Sequence, residues 1–162
     1  MPTNELKTKI IQIKLGNNKK FIEPINFNDE NLVLNDIATR LISGVEIIVF
    51  NTYDLTPHQS INLGAKIKQL CAEFDGTFIL KGKIDVAYIL RPDAVILDKQ
   101  NIDIHHTREI LGEDCLIGFL GEVSQDETPD FIINEHAFTK EIPIFKATED
   151  INNPETLILQ RI

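Results

Sequence analysis

One rhythm governs the chain from Val45 to Phe119. Short apolar runs with no alternation, "VEIIVF", "TFIL", "DAVIL" and "CLIGF", are separated by segments with helical character. A strand that is apolar on both sides has to be covered on both faces. Strands alternating with helices therefore predict right-handed βαβ units and a parallel sheet, the α/β class.

The helices carry their own punctuation. "ENLVLNDIATRLISG" places Leu32, Leu34, Ile37, Ala38, Leu41 and Ile42 near helical spacing and stops at Gly44. "TPHQSINLGAKIKQLCAEF" predicts a longer helix with Thr56 as N-cap and Pro57 at its first position. "IDVAYIL" reads as a brief helix, and "HHTREILG" as one that ends at Gly112. Before residue 31, "KIIQIKL" and "KFIEPINF" flank the turn-like "GNNKK", a pattern that suits a hairpin. After Phe119 the rhythm changes. "DFIIN", "IPIF" and "TLILQ" read as three more strands, but the segments between them are too short for a covering helix and its loops.

At 162 residues a single domain spanning 1–162 is expected. The net charge of −9 argues against nucleic acid as a partner, because phosphate binding needs a basic face. No apolar run approaches a membrane span, and Met1 is followed by no leader-like segment. Two cysteines, Cys71 and Cys115, are too few for a disulfide scaffold and read as small buried side chains in a cytoplasmic protein. No Cys/His pair has zinc spacing.

Six blocks, in order, resemble the thiamine-phosphate synthase/TenI family. They are "LISGVEIIVF", "FILKGKIDVA", "RPDAVILDKQNID", "TREILGEDCLIGF", "PDFIINEHAFTK" and "IPIFKATEDINN". The match runs from about Leu32 to Asn153 and leaves residues 1–30 unassigned. The resemblance implies a (β/α) TIM-barrel-like domain of parallel strands whose C-terminal half lacks some covering helices. It also implies a function in thiamine metabolism. Members of the family join a diphosphate-bearing pyrimidine to a thiazole phosphate at the C-terminal ends of the strands. They use cationic donors for the leaving diphosphate and carboxylates for Mg²⁺.

Carried over position by position, most of that chemistry is replaced. The Gln, Arg and Lys of the family's "QxRxK" block fall on Val49, Asn51 and Tyr53. The Asn and Asp of "NDR" fall on Lys81 and Gly82, with the basic position kept as Lys83. The His, Gly, Gln and Asp of "HlGq.D" fall on Ile96, Asp98, Lys99 and Asn101. The Ser of "iGvS" falls on Leu120, and the phosphate-cradling glycines of "iGGI" fall on Thr148 and Glu149. Positions that build the scaffold persist, among them Gly44, Asp85, Ala87, Asp93, Arg108, Gly112 and Gly118.

The expected reading is a divergent member without synthase activity, acting as a binding or partner module, with no cofactor. Two alternatives stay open. One is an active synthase-type transferase that uses non-standard residues and Mg²⁺. The other is a structural subunit that completes a family relative. Candidate anion-binding residues are Lys81, Lys83, Lys99 and Lys140, with Lys81 and Lys83 flanking a glycine at a strand end. Candidate site loops carry Asn51, Tyr53, Asp98, Asn101, His136 and Thr139, and Asp98 and Asp103 are the residual metal candidates. His58, His105 and His106 read as solvated first-turn residues, and the acidic "EVSQDETPD" as a solvated turn rather than a Ca²⁺ loop. A phosphorylated small molecule is the expected ligand class. The apolar residues of the last three strands, Ile132, Ile133, Ile144, Phe145, Leu157 and Leu159, would leave a patch for the N-terminal segment, a second copy or a family relative to cover, so a homodimer or mixed complex is expected.

Overall fold

The computed structural model describes residues 4–101, 103–123, 127–133, 144–150 and 153–161. The chain opens with helix α1 (Asn4–Lys14) and strand β1 (Lys19–Ile22). Four strand and helix pairs follow: α2 (Glu30–Ile42) and β2 (Ile47–Asn51), α3 (Pro57–Glu73) and β3 (Thr77–Lys81), α4 (Ile84–Leu90) and β4 (Ala94–Leu97), α5 (Ile104–Leu111) and β5 (Leu116–Leu120). Strands β6 (Phe131–Ile133), β7 (Ile144–Asp150) and β8 (Asn153–Arg161) complete a closed barrel in sequential order. Among the described residues no helix follows α5.

Each strand of the middle segment divides its side chains between two cores. Ile47, Val49, Ile79, Ala94, Ile96 and Leu116 point into the barrel, where they meet Phe21, Phe131, Phe145 and Leu159. Ile48, Phe50, Phe78, Leu80, Val95, Leu97, Ile117 and Phe119 point outward against Val33, Ile37, Leu41, Leu63, Ile67 and Leu90 of the helices. This double burial is why the strands show no polar alternation. The helix signals act as read: Thr56 accepts from the Gln59 amide in a capping box with Pro57 at the first position, and Gly112 caps α5. Gly118 points inward beside the Phe131 ring, and a Cβ there would lie 2.3 Å from its carbons.

Two expectations need correction. The N-terminal segment forms no hairpin. Residues 4–14 are a helix, and β1 pairs in parallel with β2, Phe21 against Ile47. Ile11 and Leu15, one helical turn apart, are buried in the interior core, and Leu15 is fully enclosed. Lys7 reaches Glu113 and Asp130, Lys14 reaches Asp93, and the Thr77 hydroxyl donates to the Lys14 carbonyl. These partners all lie at the N-terminal ends of β3 to β6, so α1 closes the floor of the barrel.

The second correction concerns strand direction. β1 to β7 are parallel neighbours, but β8 runs antiparallel to both β7 and β1. A two-strand hairpin replaces the final crossovers, since antiparallel strands need no helix between them. It also places part of the expected apolar patch: Ile132 is buried, and the side chain of Ile144 lies outside the described residues. Phe145 and Leu159 are buried inside the barrel, and Ile133 and Leu157 line its mouth. Apart from Ile158, the described outward residues of the hairpin are polar: Lys146, Thr148, Asp150, Thr156 and Gln160. Arg40 of α2 donates to Thr156, and Lys20 pairs with Asp150. Among the described residues the outward face of this hairpin is thus mostly polar.

Candidate functional site

The loops that follow β2, β3 and β4 meet at the C-terminal face of the barrel, where such folds carry their sites. A continuous hydrogen-bond network joins them. Thr52, fully buried, donates from its amide and its hydroxyl to the Lys81 carbonyl (2.8 and 3.1 Å), and its hydroxyl accepts from the Lys83 amide (2.9 Å). The Tyr53 hydroxyl lies 3.0 Å from both oxygens of Asp98 and 3.1 Å from Asn101 Oδ1. Asn101 in turn donates through Nδ2 to the Gly82 carbonyl (2.7 Å), and its Oδ1 accepts from the Asp98 amide (2.9 Å). Burial first, and the Asp98 carboxylate second, push the Tyr53 phenol up to about 12, so it stays a donor to Asp98 at neutral pH.

Each candidate residue can now be placed. Asn51 accepts from the Tyr53 amide (3.0 Å) in a local turn. Asp98 takes the Tyr53 hydroxyl and the Gln100 amide. Asp103 caps α5: the His106 amide donates to it, and that bond, followed by the His106 ring, holds its carboxyl below the usual carboxylate range. Lys99 is exposed in the turn after β4. His136, Thr139 and Lys140 lie outside the described residues. His58 bonds Asn62, and His105 pairs with Glu109, all on exposed helix surface. Burial pushes both buried thiols, Cys71 and Cys115, up to about 12.

Lys81 and Lys83 are not brought to one point. The Lys83 ammonium donates to the Leu55 carbonyl beneath the α3 entry. Lys81 turns into the barrel mouth and meets Glu23 at 3.4 Å. Lys81 ends β3 and Lys83 is the N-cap of α4, and the chain turns between them at Gly82, which has φ of +118° and is packed against Thr52. Glu23 is the residue that sequence reasoning missed. It lies in the unassigned stretch before residue 31, although its place just after a strand-like "KKFI" marks a barrel-mouth position.

The Mg²⁺ that the resemblance implies would need converging carboxylates at this face. Among the described residues no three His, Cys, Asp or Glu side chains converge. The one carboxylate of the matched loop, Asp98, is engaged by Tyr53. Above the interior core lies a cavity of about 360 Å³ that opens at the mouth. Phe21, Val49, Ile79, Ile96, Leu120, Phe131 and Ile133 are among its walls, and Glu23 and Lys81 are the charged side chains among the described residues that line it.

Known proteins agree with this architecture. A barrel with 17% identity, the thiamine phosphate pyrophosphorylase of Pyrococcus furiosus, superposes with a TM-score of 0.64 over 78% of this chain and 72% of its own. Thiamine-phosphate synthase of Campylobacter jejuni is 28% identical over 89 residues, 55% of this chain and 42% of the relative. That of Haloarcula marismortui is 32% identical over 82 residues, 51% and 39% respectively. The match thus spans about two fifths of the length of these curated relatives. The family model for thiamine monophosphate synthase matches residues 21–127, about two thirds of the chain, and so takes in the second half of β1 as well as the middle segment. Among the described residues no helix is long and apolar enough to cross a membrane. By the extent of that match, together with the barrel itself, the chain belongs to the thiamine monophosphate synthase/TenI family.

Proposed function

We propose that this chain is a binding member of its family, active in thiamine metabolism as a module that holds a small molecule and does not form thiamine phosphate. One observation carries the reading. Thr148 and Glu149, on the positions of the family's phosphate-cradling glycines, sit within the β7–β8 ladder opposite Ile158 and Leu157. Barrels of this kind bind phosphate with the loops after their seventh and eighth strands and a helix N-terminus. Here the same backbone is committed to strand pairing, and Glu149 brings a negative charge. The Tyr53–Asp98–Asn101 network supports the same view, because it spends internally the positions that would meet a metal and a diphosphate. A cytoplasmic setting belongs to this reading and is consistent with two free, buried cysteines.

The test is an assay of the purified protein with a pyrimidine diphosphate, a thiazole phosphate and Mg²⁺. No thiamine phosphate above background is expected, since losing one electrostatic donor typically costs about 10²–10³ in rate and several are replaced here. Sustained turnover that disappears in Lys81→Ala would overturn the proposal.

A further inference from the structure

The mouth cavity also indicates what kind of molecule it holds. Resting on the binding-module reading above, we infer that it takes an uncharged ring compound bearing a carboxamide or lactam edge, not a phosphorylated one. Its floor and walls are apolar, from Val49, Ile79, Ile96 and Phe131, which favours a flat hydrocarbon or aromatic body. Among the described residues its charged groups are the Glu23–Lys81 pair. Lys81 offers only donors and Glu23 only acceptors. Both side chains are mostly withdrawn from water, Lys81 19% and Glu23 27% exposed, and at 3.4 Å their contact is longer than a well-made hydrogen bond.

Charge decides among the ligands that could meet this pair. An anion that takes Lys81 displaces Glu23 and meets its repulsion, and a phosphate dianion does so twice over. A cation that takes Glu23 strands Lys81 in the same way. A neutral group with one carbonyl oxygen and one N–H can lie across the pair from the side, the oxygen to Lys81 and the N–H to Glu23, and leaves both charges paired. An amide edge has this pattern. Two apolar side chains flank the opening where the ring would enter: Ile25, 87% exposed on the loop after β1, and Leu120 at the end of β5. An exposed isoleucine at the rim of an apolar cavity gains burial when a ring arrives.

The experiment is a titration of the full chain, ¹³C-labelled at isoleucine methyls, with benzamide, benzoate and inorganic phosphate. Benzamide is expected to shift the methyls of Ile47, Ile79, Ile96 and Ile133, which line the cavity, while exposed Ile13 and Ile42 stay in place. Benzoate, the same size but charged, should bind at least about tenfold more weakly, and phosphate should leave these methyls unmoved. Lys81→Met should weaken benzamide by about tenfold, the loss of one hydrogen bond. Benzoate or phosphate binding as tightly as benzamide would overturn the assignment, and that comparison needs no variant. Equal benzamide affinity in Lys81→Met, or no shift at millimolar benzamide, would overturn it as well. Those outcomes concern the ligand class alone, since synthase turnover is measured separately and its result does not depend on them.

Discussion

The Tyr53 hydroxyl stands 3.0 Å from each carboxylate oxygen of Asp98, across 45 residues of sequence, and that contact ties the loop after β2 to the loop after β4. Its consequence for titration follows from the direction of the shift. The phenol rises from 10 in the ordinary state to about 12 in the folded protein, by burial and then by Asp98. A raised pKa means the folded state keeps a proton that the unfolded state gives up. The stabilisation is complete below pH 10 and is lost as pH rises from about 10 to about 12. Tyr53 and Tyr88 are the only tyrosines. In a Tyr88→Phe variant, phenolate absorbance should therefore report Tyr53 alone, with a midpoint near 12 that falls toward 10 in Asp98→Ala. A midpoint that ignores Asp98 would show that the carboxylate is not its partner.

Truncating the floor of the barrel should be costly. Leu15→Ala removes a fully enclosed side chain from between α1 and the interior core, and a loss of about 3 kcal/mol is expected in urea unfolding. Ile13→Ala, on the same helix but 68% exposed, should stay within about 0.5 kcal/mol. Similar losses at both positions would mean that α1 does not dock through this face.

Asp130 gathers three donors at the base of β5 and β6. Arg108 Nη2 lies at 2.6 Å, the Ile117 amide at 2.8 Å and Lys7 Nζ at 3.2 Å, and the carboxylate itself is only 8% exposed. Asp130→Ala removes the acceptor that two cations and an amide share, leaving Lys7 with Glu113 and Arg108 with the Cys115 carbonyl. Breaking a buried pair from one side costs about 3 kcal/mol or more. The double variant Asp130→Ala/Arg108→Met should recover part of that loss, and additive losses would argue against direct coupling.

The two thiols offer a test of burial. Cys71 and Cys115 are raised from near 9 to about 12, in both cases first by desolvation. At pH 8 neither should react with a disulfide reagent in the native protein, and both should react in denaturant. Rapid native labelling of Cys115 would mean that the α5–β5 junction opens readily.

How much of this was legible in the sequence depends on the range of the contacts involved. From Glu30 to Leu120, local signals sufficed. Unalternating strands, the Thr56–Pro57 start and the Gly112 stop each encode their own geometry within a few residues. The segment 9–15 misled because Ile10, Ile11, Ile13 and Leu15 nearly alternate, while what decides its fold is the i, i+4 pair of Ile11 and Leu15 meeting a floor built by distant strands. The direction of β8 was equally hidden, because apolar runs carry no arrow. The loops after β2, β3 and β4 were singled out through the family's motifs. Their use was not: Tyr53 meets Asp98 and Asn101, and Glu23 meets Lys81 58 residues away, only after the barrel has closed.

The reversed β8 also imposes an order of events. Lys19 of β1 pairs with Leu159 of β8, so the ring cannot shut until residues 153–161 are in place. Until then the edges of β1 and β7 stand open as templates for any passing strand. Contacts of such long sequence separation form late, because the chain must first lose the entropy of the whole loop between them. A chain without β8 would therefore leave both edges unpaired and deprive the cavity-forming residues, Phe21, Val49 and Ile79 among them, of Leu157 and Leu159 beside them. A chaperone that shields unpaired edges would find its substrate at that stage, and a chain stalled just before β8 would be the form most prone to aggregate.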